Sequence, residues 1–342
     1  MTTKEIKKES FWHFNQESFR KSVDSHCVQG VKQLKKTIHS YIFFHLFFIG
    51  LLAAEVTSFF VFLTFLFQTS FIAFFLASIL LTGFAYLILL FYFQTKKPGQ
   101  LIEIRNWFMG LCKKGLPSHL NQNDYHLSLA NAAYIFSSLL TKQDSSRSAQ
   151  LNSSLSLNKL IRKVTKLYFQ KDMHKMQEIL AFVSINEHIQ LIKKTPTNLE
   201  AHASLANAYV ALSHLYRPTA FQHRIKNSST KFKAATKKAL QEFKIIDYFS
   251  PNDPWVYAQL ASCYHDLELY NDEANVYEQI LKLCPDDKQI MFRLGILCFQ
   301  QGKSGQGLEL YQKLKALKFS RADELIDFYD ANIKKEYCIQ NL

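Results

Sequence analysis

Two unbroken apolar blocks lie side by side in this chain, Tyr41 to Phe67 and Phe71 to Phe93, separated only by Gln68, Thr69 and Ser70. Glu55 is the one acid in the pair. About 20 apolar residues in a helix span the hydrocarbon core of a bilayer, so each block is long enough to cross it. A core helix of a water-soluble domain keeps a polar face, and neither block has one. The sequence therefore predicts a transmembrane hairpin over 41–94. Mean hydropathy over the whole chain is still −0.09, so what surrounds the hairpin must be polar.

The basic residues that give the chain its net charge of +13 are unevenly placed. Residues 1–40 hold 8 Lys and Arg against 4 acids, 95–250 hold 23 against 9, and 251–342 hold 10 against 14. Basic sequence thus flanks the apolar pair, as attraction to anionic lipid would require, and nucleic acid is a less fitting partner. Lys32, Lys35 and Lys36 precede the first block, Lys96 and Lys97 follow the second, and the connecting turn is uncharged. Lys and Arg accumulate on cytoplasmic flanks, so both ends of the chain are expected on the cytoplasmic side, or in a host cytosol if the protein is secreted. The first apolar run starts behind 40 polar residues and is too long for a signal-peptide core, so it is expected to stay as an anchor.

An ionised carboxylate in mid-bilayer costs several kcal/mol, so Glu55 needs a partner or a function. In an antiparallel hairpin turning near 68–69, position 55 lies at the depth of Thr82, with Ser78 one turn away and Gly83 permitting close approach. A protonated Glu55 bonded to Thr82 or Ser78 would hold the hairpin together; the alternative is a channel or transporter subunit centred on Glu55. Two flanking segments carry single apolar stripes: Cys27, Val31, Leu34 and Ile38 before the hairpin, and Leu101, Ile104, Trp107, Phe108 and Leu111 after it. Such stripes suit either the headgroup region or packing on a soluble domain.

The second half of the chain repeats. Leu260 pairs with Leu294, Ala261 with Gly295, Tyr257 with Met291, Tyr277 with Tyr311, Ile280 with Leu314 and Pro251 with Pro285, all at an offset of 34. A period of 34 is that of a helix–turn–helix unit. Tyr257-x2-Leu260-Ala261-x2-Tyr264 followed by Ala274, Tyr277 and Pro285 resembles the tetratricopeptide repeat (TPR) family. Met291-x2-Leu294-Gly295-x2-Cys298 with Gly302 and Tyr311 gives a second copy, and His202-x2-Leu205-Ala206-x2-Tyr209 starts an earlier one. In that earlier copy Pro196 and Pro251 are 55 residues apart, so an insertion is expected near 213–232. Ser128 to Ala132 repeats Ser204 to Ala208 letter for letter, and the Ser-rich stretch 141–158 reads as a loop.

The fold class is therefore all-α: a two-helix transmembrane hairpin followed by a TPR-like solenoid. The expected divisions are a polar segment over 1–40, the hairpin over 41–94, and juxtamembrane and degenerate TPR-like helices over 95–198. The repeats follow over 199–319 and a capping helix over 320–342. The last is expected because a solenoid must close its end.

The resemblance implies a groove lined by the first helix of each pair, which binds a protein partner. Groove candidates are Glu200, Asn207, Trp255, Ser262, His265, Gln289, Phe292, Ile296 and Phe299. Family members that bind acidic chaperone tails carry a charged clamp; Ala203 and Ala258 stand there instead. If the terminal helix covers Phe292, Ile296 and Phe299, these line no groove. A basic patch, Arg217, Arg224, Lys226, Lys231, Lys233, Lys237 and Lys238, would meet anionic lipid or an acidic partner, or form a solvated face. No GxSxG, Walker, GxGxxG or HExxH pattern occurs, and the six cysteines form no CxxC, so an enzyme, a cofactor and a metal site are not expected. The function these features point to is a membrane-anchored scaffold or adaptor. The bilobed hairpin alone also resembles inclusion-membrane effectors that intracellular bacteria secrete.

Overall fold

The computed structural model describes residues 16–65, 69–118, 120–148, 156–217 and 228–330. They are helical with short connections, and no strand occurs among them. The chain divides into two compact units, Met1–Leu191 and Ile192–Leu342.

The first unit is built on two long antiparallel helices, α1 (Gln16–Phe65) and α2 (Thr69–Lys114). Ring contacts fix their register. Phe62 stacks on Phe75 at 5.1 Å between centroids, and Phe44 meets Phe93 edge-on at 4.6 Å. The most apolar 18-residue window of each helix has no residue buried inside the protein, and both helices are long and apolar enough to cross a membrane.

Beyond the apolar stretch the same two helices run on into a core. Cys27, Leu34 and Ile38 of α1 are buried with Leu101, Ile104 and Phe108 of α2. Leu129 and Phe136 of α3 (Gln122–Ser148) and Met173, Met176 and Leu180 of α4 (Ser156–Lys194) complete it. Both flanking stripes are thus packing surfaces of the first unit. Gly30 lets α1 lie against α3, since a Cβ there would stand 2.7 Å from the Phe136 ring. Lys97 on α2 pairs with the buried Asp172 on α4 at 2.6 Å. Burial raises the Asp172 carboxyl above its usual range, and the Lys97 ammonium pulls it back.

The Ser-rich stretch does not read as expected. Helix α3 continues to Ser148 and α4 begins at Ser156; only 149–155 lie outside the described residues. Hydroxyls tolerate a helix by bonding back to the preceding turn, as Thr141 Oγ1 does to the Ser137 carbonyl at 3.2 Å.

The second unit is a row of helix pairs. They are α5 (Leu199–Tyr216) with α6 (Ser228–Phe249), α7 (Pro254–Asp266) with α8 (Tyr270–Leu283), and α9 (Lys288–Gln300) with α10 (Ser304–Ala316). The starts of α7 and α9, and of α8 and α10, are each 34 residues apart. The first helix of each pair opens on an Asx cap. Asn198 accepts from the Ala201 N–H at 3.1 Å, Asp253 from Trp255 at 2.9 Å, and Asp287 from Gln289 at 2.9 Å and Ile290 at 3.1 Å. These bonds satisfy amides that a helix start leaves unpaired. The turn within each later pair uses a left-handed residue, Glu268 (φ 61°) and Gly302 (φ 73°), again 34 apart. The amide after each returns to the carbonyl five residues back, Leu269 to Tyr264 and Lys303 to Cys298, which closes the helix end.

Repeat positions form the successive cores. Leu260 and Tyr264 pack with Ala239 and Phe243, and Ala261 with Tyr277, Ile280 and Leu294. The insertion lengthens α5 and α6 to 18 and 22 residues, against 13 or 14 in the later helices. Residues 213–216 and 228–232 are therefore helix, and 218–227 lie outside the described residues. A last helix runs over 322–330, and Leu325 from it seals the end: a Cβ on Gly295 would lie 2.7 Å from its side chain. Ile333, Lys334, Lys335 and Cys338 lie outside the described residues. Cys27, Cys112 and Cys263 are free, buried thiols that burial pushes up to about 12, away from reactive thiolate.

Candidate functional site

The helices α5, α7 and α9 each bury one face and carry the groove candidates on the other. On α5 and α7 these positions are open. Asn207, Ser262 and His265 are exposed, as is Trp255 at 44%. Trp255 sits at the start of α7, where the Asp253 cap fixes the backbone, and its ring meets Phe243 edge-on at 5.9 Å. His265 is held at the other end of α7, with Nδ1 3.2 Å from the buried Glu273 carboxylate and its ring against Tyr270. Glu200 lies in the first turn of α5, and Ala258 is exposed between Trp255 and Ser262. An aromatic, a hydroxyl and an imidazole thus lie along one exposed strip of α7. Such a strip has hydrogen-bonding groups and an apolar anchor but no clustered charge.

On α9 the apolar candidates are closed. Phe292 and Phe299 are each 5% exposed. Phe299 lies against Gly307, where a Cβ would be 2.4 Å away, and against Tyr329 of the last helix at 4.8 Å. Phe292 meets Phe319, and the Arg321 guanidinium lies over its ring at 4.8 Å. Ile296 is half-buried in the same cluster, while Gln289 stays exposed. Phe292 and Phe299 are core residues, covered by the last helix and by Phe319 and Arg321 just before it, and they correct the expectation of an apolar groove there. At a position that faces either a groove or a covering helix, an apolar residue gives the same sequence signal.

The basic patch is partly neutralised from within. Arg217 bonds Asp266 at 3.0 and 3.2 Å, and Lys233 pairs with Glu268 at 3.1 Å. The Lys231 ammonium lies 5.0 Å from the centre of the Tyr216 ring. Lys237 and Lys238 are exposed on α6. Arg224 and Lys226 lie outside the described residues.

Within the hairpin, Glu55 Oε1 accepts from Thr82 Oγ1 at 2.8 Å and from Ser78 Oγ at 3.0 Å. His45 Nδ1 and the Tyr86 hydroxyl are 3.1 Å apart, nearer the polar end. The acid is bonded across the two helices.

Two exposed aromatics were missed by the repeat pattern. Tyr248 (80% exposed) and Phe249 close α6 and meet edge-on at 5.1 Å. Their signal was two adjacent aromatics at the end of an amphipathic helix, since neighbouring residues cannot share its buried face.

No protein-family model matches the chain, and no curated protein matches it. Among solved structures, a thermophilic TPR protein of Thermus thermophilus is 18% identical. The match covers 62% of this chain and 98% of that one, with a TM-score of 0.30. The ArsTM double mutant of MamA RS-1 is 13% identical over 49% of this chain and 98% of its own, with a TM-score of 0.25. Identity and superposition at this level carry no function across. The TPR-like character rests on the period of 34 in the chain's own helices, caps and turns.

Proposed function

We propose that this chain is a membrane-anchored helical-repeat scaffold. The hairpin of α1 and α2 holds it in a bilayer with both ends on the cytoplasmic side, and the exposed strip of α5 and α7 binds a protein partner. One observation supports this most: Asn207, Trp255, Ser262 and His265 stay exposed on helices whose other faces are buried, while the equivalent apolar positions of α9 are covered. Aromatic residues beside polar ones are the usual anchors of a protein interface. Glu55, bonded to Thr82 and Ser78, serves in this reading as a clamp within the hairpin.

The anchor is tested by alkaline washing of membranes that hold the full chain, which should leave it in the pellet. Tags near residues 5 and 340 should be accessible from the same side. The partner face is tested with a photo-crosslinking residue placed at Ser262 and, separately, at Gln312 on α10. A discrete adduct from position 262 that Trp255→Ala removes is the expected result. Equal adducts from both positions would refute the assigned face. Ion flux through reconstituted protein that Glu55→Gln abolishes, at normal abundance, would replace the scaffold reading with transport.

A further inference from the structure

A pocket of about 420 Å³ opens on the hairpin where α1 and α2 change from polar to apolar. It runs along α1 from Lys36 to Phe47, about 16 Å at the rise of a helix. Its polar end carries Lys36, Ser40 and Lys96. Its other end is walled by Phe44, Phe47 and Phe93. No acid lines it. The neighbouring cation, Lys97, is already paired with Asp172 at 2.6 Å, and the Lys96 ammonium donates to the neutral Tyr92 hydroxyl at 3.3 Å. Tyr41 donates to Gln100 Oε1 at 2.8 Å, which fixes the amide with its NH2 group left to donate. One elongated site therefore offers two ammonium groups, the Thr37 and Ser40 hydroxyls and an amide donor at one end and only aromatic carbon at the other.

We propose that this pocket binds an anionic phospholipid, with the phosphate between Lys36 and Lys96 and the start of an acyl chain against Phe44, Phe47 and Phe93. The chemistry separates this ligand from its rivals. A soluble anion would leave the phenyl wall wet, and a lipid without net charge would leave two ammonium groups uncompensated. The position supports the same choice, because the lysines stand just outside the apolar blocks and the phenyl groups just inside them. Long Lys side chains at a helix end reach the headgroup level in this way. The proposal rests on the membrane reading given above and adds to it a site with a preferred lipid.

The test reconstitutes the full chain in vesicles of equal phosphatidylcholine and phosphatidylglycerol, extracts it gently and counts retained lipids by native mass spectrometry. The wild-type protein should retain phosphatidylglycerol over phosphatidylcholine by about tenfold or more, as two headgroup cations would give. Lys36→Gln/Lys96→Gln should bring the ratio near parity while the protein still resists alkaline washing. Lys313→Gln/Lys315→Gln, on α10, should leave it unchanged. Excess inorganic phosphate should not displace the lipid; displacement would mark a free-anion site and overturn the proposal. Equal retention of both lipids by the wild type, or an unchanged preference in the Lys36/Lys96 variant, would overturn it while leaving the anchor standing. Release of the wild-type protein by alkaline washing would overturn the anchor and this site together.

Discussion

The two units of this chain make helices of very different length. In the first, α1 and α2 run for 50 and 46 residues, and α2 carries Pro98 without ending. In the second, α7 to α10 run for 13 or 14. Stop signals set the difference. Asp253 and Asp287 start helices by capping amides, and Glu268 and Gly302 end them by turning left-handed. No such device interrupts the 50 residues of α1. A helix continues until a capped start or a left-handed end makes stopping cheaper than continuing. The repeat unit is in this sense a schedule of stops, while the hairpin is their absence.

Four experiments would break or sharpen this comparison, from the largest effect to the smallest. Phe299→Asp places a charge in the cluster under the last helix and should cost on the order of 4 kcal/mol. Hydrogen exchange of the full chain should rise over 288–330 and stay unchanged over α1 to α3. Unchanged exchange in α9 would mean that Phe299 is open to solvent.

The second concerns the first unit alone. Burial drives the His188 imidazole from its ordinary 6.5 down to about 4. The unfolded chain therefore takes up a proton before the folded one does. Stability should fall as pH drops from about 6.5 toward 4, by at most about 3 kcal/mol, and return as pH rises. Denaturation across that window should show the slope, and His188→Gln should flatten it. A slope that survives the substitution would assign it to other groups.

The third removes a start signal. Asp287→Ala should cost about 1 kcal/mol, because two amides of α9 lose their acceptor. A denaturation midpoint identical to the wild type would show that the stop-and-start devices matter little beside packing. The smallest effect has the opposite sign. Glu268→Gly relieves a left-handed non-glycine residue, loses an exposed ion pair to Lys233 and adds glycine entropy to the unfolded chain. The net should be stabilising by about 0.5 kcal/mol. Destabilisation beyond that size would mean the Lys233–Glu268 pair matters more than a surface pair usually does.

Much of this architecture could be read from residue spacing. The period of 34 located α7 to α10, because each unit repeats its core contacts in register. Depth arithmetic on the hairpin located Thr82 and Ser78 opposite Glu55, because an antiparallel helix pair with a short turn leaves little freedom. Other features left no distinct mark. The stripe of Cys27, Val31, Leu34 and Ile38 has the same form whether it meets lipid headgroups or a protein core. Phe292 and Phe299 are apolar whether they line a groove or support a covering helix. Serines over 141–148 match a loop by composition, yet α3 continues through them. In each case one residue pattern satisfies two environments, and only the long-range contact decides between them.

The unbroken length of α1 has a mechanical meaning. At 1.5 Å per residue its 50 residues extend about 75 Å, against roughly 30 Å of hydrocarbon in a bilayer. In the proposed membrane setting the surplus is a strut. A domain on a flexible tether wanders, and its encounter rate with a target falls as the tether lengthens. A core carried on a rigid rod instead keeps a set height and a set angular phase relative to the span. One residue inserted between Ile38 and Tyr41 of α1 alone would turn its buried stripe by about 100° away from Leu101 and Phe108 of α2, so the core keeps its phase only while both long helices keep their register.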